Sequence, residues 1–288
     1  MIEAGDVLPA AARDAIACDA ELSLRADENF REMYRHLARG SARGIFVERE
    51  RGACLVATGV PFALFNPAFV PPISATAGNV ASEGGAFLAD ARAFYQHEGL
   101  PWALVVDENE DAVPATPRQL LLAGLRPVEP LPVFVHATAP GAGWPPGASW
   151  LDVRAVRTPS ETADHRALLR AAFGISEETS GIVLASVPAS PLLVLYVAYE
   201  RATGRAVGSA ALCEGGGLAG VYNVATHPGF RRKGVAATLM RVVLGDARAR
   251  GLAWSVLQSS PAGRALYVRL GFRLLKTYAV YVCDGTAA

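Results

Sequence analysis

The chain has 288 residues, 51% hydrophobic and 19% charged, with 27 basic side chains balanced by 27 acidic ones. That length leans to two domains, the composition excludes a disordered chain, and the zero net charge argues against a nucleic-acid-binding or polybasic membrane surface. No apolar run approaches the ~20 residues of a membrane span. Residues 1–6 carry no basic segment ahead of the apolar residues 8–12, so no secretory leader is expected and the compartment is expected to be the cytoplasm. Cys18, Cys54, Cys213 and Cys283 are scattered without a C-x-x-C pair, as separate reduced thiols would be, which leaves no disulfide framework and no metal site to expect.

In chain order, the first half offers an extended stretch over residues 99–105 (GLPWALV), a helix-like one over 118–124 and another extended one over 126–135. Residues 137–149 (ATAPGAGWPPGAS) then interrupt helix and ladder hydrogen bonding with Pro and Gly. The boundary falls there, giving domains at 1–140 and 150–288 with a linker at 141–149. Beyond it the spacing predicts a strand at 151–156, a helix over 160–173 opening at Ser160 with Asp164, and strands at 192–199, 206–212 and 221–226. Val235, Leu239, Val242 and Val243 then fall at helical spacing until Gly251 closes the helix. Residues 251–257 (GLAWSVL), 264–271 and 273–282 repeat the order of the first half's tail, so the chain reads as a duplicated α/β unit.

Chemistry concentrates in residues 224–236, VATHPGFRRKGVA. A strand ends, a short basic loop follows, and a long helix begins with small residues in its first turn. The free N–H groups and positive dipole end of that turn attract an anion, Gly234 removes a Cβ from the approach, and Arg231, Arg232 and Lys233 add full charges. The residues alone support either a phosphate-bearing ligand or a solvated basic loop. Residues 215–220 (GGGLAG) satisfy G-x-G-x-x-G, but the β-branched and aromatic residues that follow do not open a helix, so they read as a hairpin loop and not as a dinucleotide fingerprint.

Arg231-x-x-Gly234-x-Ala236, directly after the strand ending at Thr226, resembles the Q/R-x-x-G-x-G/A acyl-CoA signature of the GNAT superfamily of N-acetyltransferases. Residues 260–272, SPAGRALYVRLGF, resemble that family's N-x-x-A-x-x-L-Y-x-x-L-G-F motif, and the two stand in the family's order. The resemblance implies an α+β fold of two GNAT-like domains, each a central, mostly antiparallel twisted sheet flanked by helices. It implies acetyl-CoA as co-substrate, without a metal. It further implies that Val224, Ala225 and Thr226 pair with the pantetheine, that the Val224 N–H meets the oxyanion, and that Arg231, Arg232, Lys233, Gly234, Val235 and Ala236 cradle the pyrophosphate. Ser260 and Gly263 would stand on the CoA side, and Tyr267 would protonate the departing thiolate.

The departures matter as much. Ser260 replaces the family's Asn, and Gly220 stands where some members place a glutamate as general base. Glu214, Tyr222, Asn223 or a water chain would then have to deprotonate the amine, Glu214 being the nearest acid in sequence. Aligning Gly124 with Gly271 puts Leu120 opposite Tyr267, no R-x-x-G-x-A precedes residue 140, and the presumed loop at 66–72 has no basic residue, so the first half reads as a degenerate GNAT-like domain. Phe62, Phe65, Phe69 and the Asn66 turn are either core residues or the wall of a substrate cleft. The implied activity is acetyl transfer to a primary amine of a small molecule by a monomer or homodimer, with no nucleic-acid or membrane partner. The alternatives are a non-catalytic acyl-CoA-binding sensor or scaffold, or a protein acetyltransferase.

Overall fold

Residues 192–199 are apolar at every position, and a strand that reads so has to be covered on both faces. The computed structural model, which describes residues 10–70, 80–108, 117–139, 144, 146–185 and 190–284, covers it in that way. The first half runs α1 (Ala10–Gly40), β1 (Ile45–Glu48), β2 (Cys54–Ala57), β3 (Pro67–Phe69), α2 (Val80–Glu98), β4 (Trp102–Asp107), α3 (Pro117–Leu122), β5 (Arg126–Pro127) and β6 (Leu131–Ala137). The second runs β7 (Leu151–Ala155), α4 (Pro159–Phe173), α5 (Glu177–Ala185), β8 (Leu193–Glu200), β9 (Ala206–Gly215), β10 (Leu218–Thr226), α6 (Val235–Ala249), β11 (Trp254–Gln258), α7 (Pro261–Arg269) and β12 (Arg273–Cys283). On β8, Leu193 and Leu195 join Met33, Leu37 and Leu169, whereas Tyr196 and Ala198 join Leu239, Met240 and Val243 of α6. The pleat thus feeds one helical layer with every second side chain and the other layer with the rest.

Among the described residues, twelve strands share one sheet, ordered β1-β2-β3-β4-β12-β6-β11-β10-β9-β8-β7, with β5 pairing β12 beside that path. Each half contains one parallel pair, β3 with β4 and β10 with β11. The expected α+β fold of two mixed, mostly antiparallel sheets is present, but the sheets are fused and their terminal strands are exchanged. β6 of the first half lies between β11 and β12, and β12 of the second half pairs with β4 from Tyr278 to Cys283. Val133, Phe134 and Val135 of β6 are buried, Val133 and Val135 at 0% exposure, so the exchange carries core and not surface.

Several elements differ from the sequence expectation, for local reasons. Residues 67–69 form β3, where a loop was expected. Pro67 takes the first position of the strand, which tolerates a missing donor. The preceding Asn66 is wholly buried, accepting the Thr58 N–H at 2.9 Å and donating to the carbonyls of Val60 and Pro101 at 2.8 Å each. The stretch 126–135 divides into β5 and β6 around residues 128–130. α4 starts earlier than Ser160 because Thr158 and Glu161 form a capping box, each side chain bonding the other's backbone N–H. Residues 1–9, 71–79, 140–143 and 145, on which the leader, loop and linker readings partly rest, lie outside the described residues.

Helix α1 was not anticipated. Leu22, Ala26, Phe30, Met33 and Leu37 recur at helical spacing and are all buried, so one stripe of α1 lies against the sheet. Asn29 in that stripe donates its amide to the carbonyls of Cys213, Gly215 and Leu218 at 3.0–3.1 Å and accepts from the Tyr222 hydroxyl at 2.7 Å. Arg25 holds the carbonyls of Gly216 and Gly217 at 2.9 and 2.7 Å. The glycine run is therefore the hairpin turn it was expected to be, and α1 docks on it. Deeper in the sheet, Lys276 of β12 is buried between Asp27 of α1 and Asp107 of β4, so that one ammonium joins three elements.

His165 of α4 is wholly buried, with Nδ1 3.2 Å from the Tyr196 carbonyl. Burial lowers its pKa from 6.5 to about 4, so the unfolded chain takes up a proton that the folded chain refuses. Its neutral form costs nothing above pH 6.5, and stability falls as pH drops from there towards 4, by about 3 kcal/mol in all. Urea unfolding midpoints measured between pH 7 and pH 4 should fall accordingly, and His165→Gln should flatten that slope. An unchanged slope in the variant would remove His165 as the cause.

Candidate active site

β10 and β11 are registered only at Ala219 with Ser255 and Gly220 with Val256. β10 runs on to Thr226 and β11 to Gln258 without further pairing, so the sheet opens into a wedge beyond Gly220. At its mouth β10 bulges, carrying one residue more than β9 between the pairs Tyr222 with Ala211 and Ala225 with Ser209. Asn223 takes a left-handed φ of 54° in that bulge, beside Val224. A bulge leaves a backbone group outside the ladder, which is what a donor for a developing negative charge requires.

After Thr226 the chain turns sharply towards α6. His227 accepts the Gly229 N–H on Nδ1 at 3.2 Å and caps the 3-10 turn Pro228–Phe230, a structural role. Arg232 and Gly234 are both left-handed, with φ of 63° and 82°. That pair of reversals curls the loop before Val235 starts the helix, and successive N–H groups in such a curl form an anion-binding concavity. Arg231, Arg232 and Lys233 are exposed around it, with the Lys233 ammonium 5.1 Å from the Phe230 ring centre.

Tyr267 comes from the opposite wall, on α7. It is buried with Phe272 edge-on at 5.8 Å, and no described residue hydrogen-bonds its hydroxyl. Burial pushes the phenol up to about 12, so it stays protonated through the neutral range. Gly263 faces its ring, with room for no Cβ, since one would stand 2.8 Å from Tyr267 Cε2. Ser260 is the N-cap position of α7, without a side-chain capping bond. Tyr267 and Val235 belong to one buried apolar cluster, against which Val224, Phe230 and Ala237 pack, so the bulge, the helix start and the tyrosine border the same core.

Glu214 is not brought to them. It pairs opposite Ala219 at the closed end of the hairpin, roughly 16 Å along β10 from Val224, and its carboxylate is held by Arg250 at 2.7 Å. Tyr222 is no base either, because burial holds its phenol well above the usual range while it donates to Asn29. Gly220 has a steric cause, since a Cβ there would lie 2.0 Å from Asn29 Oδ1. The glutamate position is filled by α1.

On the α1 side of the bulge lies a cavity of 570 Å³. Phe30 and Tyr34 of α1, Phe62 and Phe65 of the first half, Phe173 at the end of α4, and Tyr222 and Asn223 line it. Phe62 and Phe65 are thus cleft residues. Phe69 is not, being buried against Phe30 and Tyr34, and neither is the fully bonded Asn66. The α1 residues and Phe173 were missed, although the 30-33-34-37 spacing of apolar side chains is a helical stripe legible in the sequence. Gln258 was missed as well. It ends β11 against the Tyr222 phenol, and its buried Nε2 has no acceptor among the described residues.

Residues 191–274 match the model of a family described as Acetyltransferase (GNAT) domain. The chain carries a GNAT acetyltransferase domain. It is an acyltransferase enzyme by that domain, and the match spans the bulge, the loop and Tyr267 alike. A solved GCN5-related N-acetyltransferase from Kribbella flavida shares the fold at TM-score 0.64 and 18% identity, covering 88% of this chain and 93% of that one. Another, from Sphaerobacter thermophilus, has TM-score 0.59 and 18% identity, over 82% and 81%. A tandem GNAT protein from the clavulanic acid biosynthesis pathway has TM-score 0.58 and 15% identity, over 86% and 85%. The GNAT fold therefore extends over both halves. No curated protein matches the chain in sequence. No described helix is long and apolar enough to cross a membrane, and no group of three or more His, Cys, Asp or Glu among the described residues could hold a metal ion. Cys54 and Cys213 are free and buried, and Cys283 is free and half-buried.

Proposed function

We infer that the protein is a cytoplasmic, acetyl-CoA-dependent N-acetyltransferase that moves an acetyl group directly to a primary amine of a small molecule. In this reading residues 150–288 do the chemistry, 141–149 link the halves, and 1–140 form a degenerate GNAT-like half that walls the acceptor side. The observation that carries it is that the β10 bulge, the left-handed loop at Arg232–Gly234 and Tyr267, whose hydroxyl no described residue hydrogen-bonds, border one core beside the wedge in the sheet.

The residues present suit acetyl-CoA. The curled loop with Val235 and Ala236 at the helix start takes the pyrophosphate, and Arg231, Arg232 and Lys233 neutralise it. The open edge of β10 at Val224, Ala225 and Thr226 offers the pantetheine a strand's hydrogen bonds, with Ser260 and Gly263 on the far side. The Val224 N–H meets the charge that develops on the acetyl oxygen, and Tyr267 gives its proton to the departing sulfur. Orientation across the wedge supplies the rest of the acceleration, and no covalent enzyme intermediate is involved. An acceptor of small-molecule size is supported by the cavity, whose 570 Å³ lies within the ~300–1,000 Å³ usual for such sites.

Calorimetric titration with acetyl-CoA tests the reading. We expect one micromolar site per chain and a loss of about tenfold or more in affinity in Arg231→Ala/Gly234→Asp, which removes a charge, adds a carboxylate and strains a left-handed position. Absence of binding to the unaltered protein, or binding indifferent to the double variant, would overturn the assignment.

A further inference from the structure

The cavity beside the bulge contains no Asp, Glu, Lys, Arg or His among the described residues that line it. An alkylammonium deep in it would give up part of its hydration and meet no carboxylate among the described lining residues, and burying an unpaired charge is disfavoured. Nor does this wall supply a base to deprotonate one. Glu214 is at the far end of the hairpin in an ion pair, Tyr222 is held protonated, and Asn29 occupies the space a side chain at position 220 would need. What the cavity does offer is rings: Phe30 and Tyr34 edge-to-face at 5.3 Å, and Phe62 tilted to Phe65 at 6.0 Å, a surface that favours offset and edge-to-face contact with a flat aromatic ligand.

The geometry points to an arylamine-class acceptor, a flat apolar molecule whose nitrogen is already uncharged at neutral pH because its lone pair is shared with the ring. This rests on the acetyl-transfer reading and specifies its substrate class. Such a nitrogen needs no base before attack. Its lone pair forms the C–N bond to the acetyl carbon, the C–S bond breaks, and the sulfur leaves as a thiolate that takes the Tyr267 proton. The nitrogen, now positively charged and acidic, sheds its proton to water, and the phenol is restored. Asn223 lines the cavity together with Ser176 and Thr179, and these are the uncharged polar residues available to orient the N–H bonds.

Two near-isosteres isolate the charge: 2-naphthylamine, neutral at pH 7, and 2-naphthylmethylamine, a cation. Fluorescence titration of the full chain without acetyl-CoA should show the neutral amine binding about tenfold tighter or more. Phe62→Glu and Phe173→Glu, both on side chains 53% exposed and so tolerant of substitution, should reverse that preference by giving the cation a partner. Equal or tighter binding of the cation to the unaltered protein, or an order of preference that neither variant changes, would overturn the inference. Thiol release with acetyl-CoA reads the transfer separately. Naphthylamine bound without thiol release would sink the acetyltransferase reading and leave the cavity's selectivity standing. Release with the alkylamine alone would keep the transfer and sink the selectivity.

Discussion

Replacing Tyr267 with Phe is expected to lower kcat by about a hundredfold or more, the usual scale for a lost general acid, with acetyl-CoA affinity nearly unchanged. The substitution removes one oxygen from a side chain whose ring stays packed on Phe272, so the cluster around Val224 and Val235 keeps its shape. No hydrogen bond among the described residues is lost with the hydroxyl. The pH profile carries the same signature. With the phenol raised by burial to about 12, the proton-donating form persists at every pH where the fold is stable, so no tyrosine limb should cut the rate below pH 10. Steady-state kinetics of the variant decide the matter, and an unchanged kcat would take Tyr267 out of the reaction.

The second large effect concerns the whole second half. Residues 150–288 expressed alone should fail to fold as a soluble monomer, although they contain every proposed acetyl-CoA contact. The cut removes β6, which is hydrogen-bonded on one edge to β11 and on the other to β12, and leaves the edges of both unpaired. It also removes α1, with the Asn29 and Arg25 bonds to the β9–β10 hairpin. Val133, Phe134 and Val135 are buried, and deleting one such side chain costs about 2–5 kcal/mol against a total stability of about 5–15 kcal/mol. Co-expression with residues 1–149 should rescue solubility by restoring the exchange in trans. A monomeric, cooperatively unfolding 150–288 fragment would show that β6 is dispensable.

How legible this was in the sequence depended on the range of the interaction. The loop at 231–236 and the motif at 260–272 are local, and the α6 helix follows from the apolar spacing within its own residues. The apolar run at 192–199 reads as a strand in the sequence, and the structure covers that strand on both faces. Its partner on one face, α1, lies far upstream, and no local pattern could say which strands a helical stripe at 22–37 would cover. Gly220 is the sharpest case. In sequence it is a missing glutamate, and only the fold shows Asn29 standing in the space, so a departure that looked like lost chemistry has a steric origin. Glu214 failed for the converse reason, because closeness in sequence across a hairpin turn became distance along an extended strand. The strand exchange was illegible because pairing between strands so far apart in the chain leaves no local pattern in either one.

That exchange also governs how the chain is made. A nascent protein usually closes its first domain while the second is still being synthesised. Here β4, which ends at Asp107, waits for a neighbour that begins at Arg273 and is translated after every other described element. At ~5–20 residues per second the first half spends on the order of ten seconds or more with an open sheet edge and a solvent-exposed apolar face. The native arrangement therefore requires the β4 edge to stay open until the last strand of the chain has been made, so a chain released before Arg273 would leave that edge without its native neighbour.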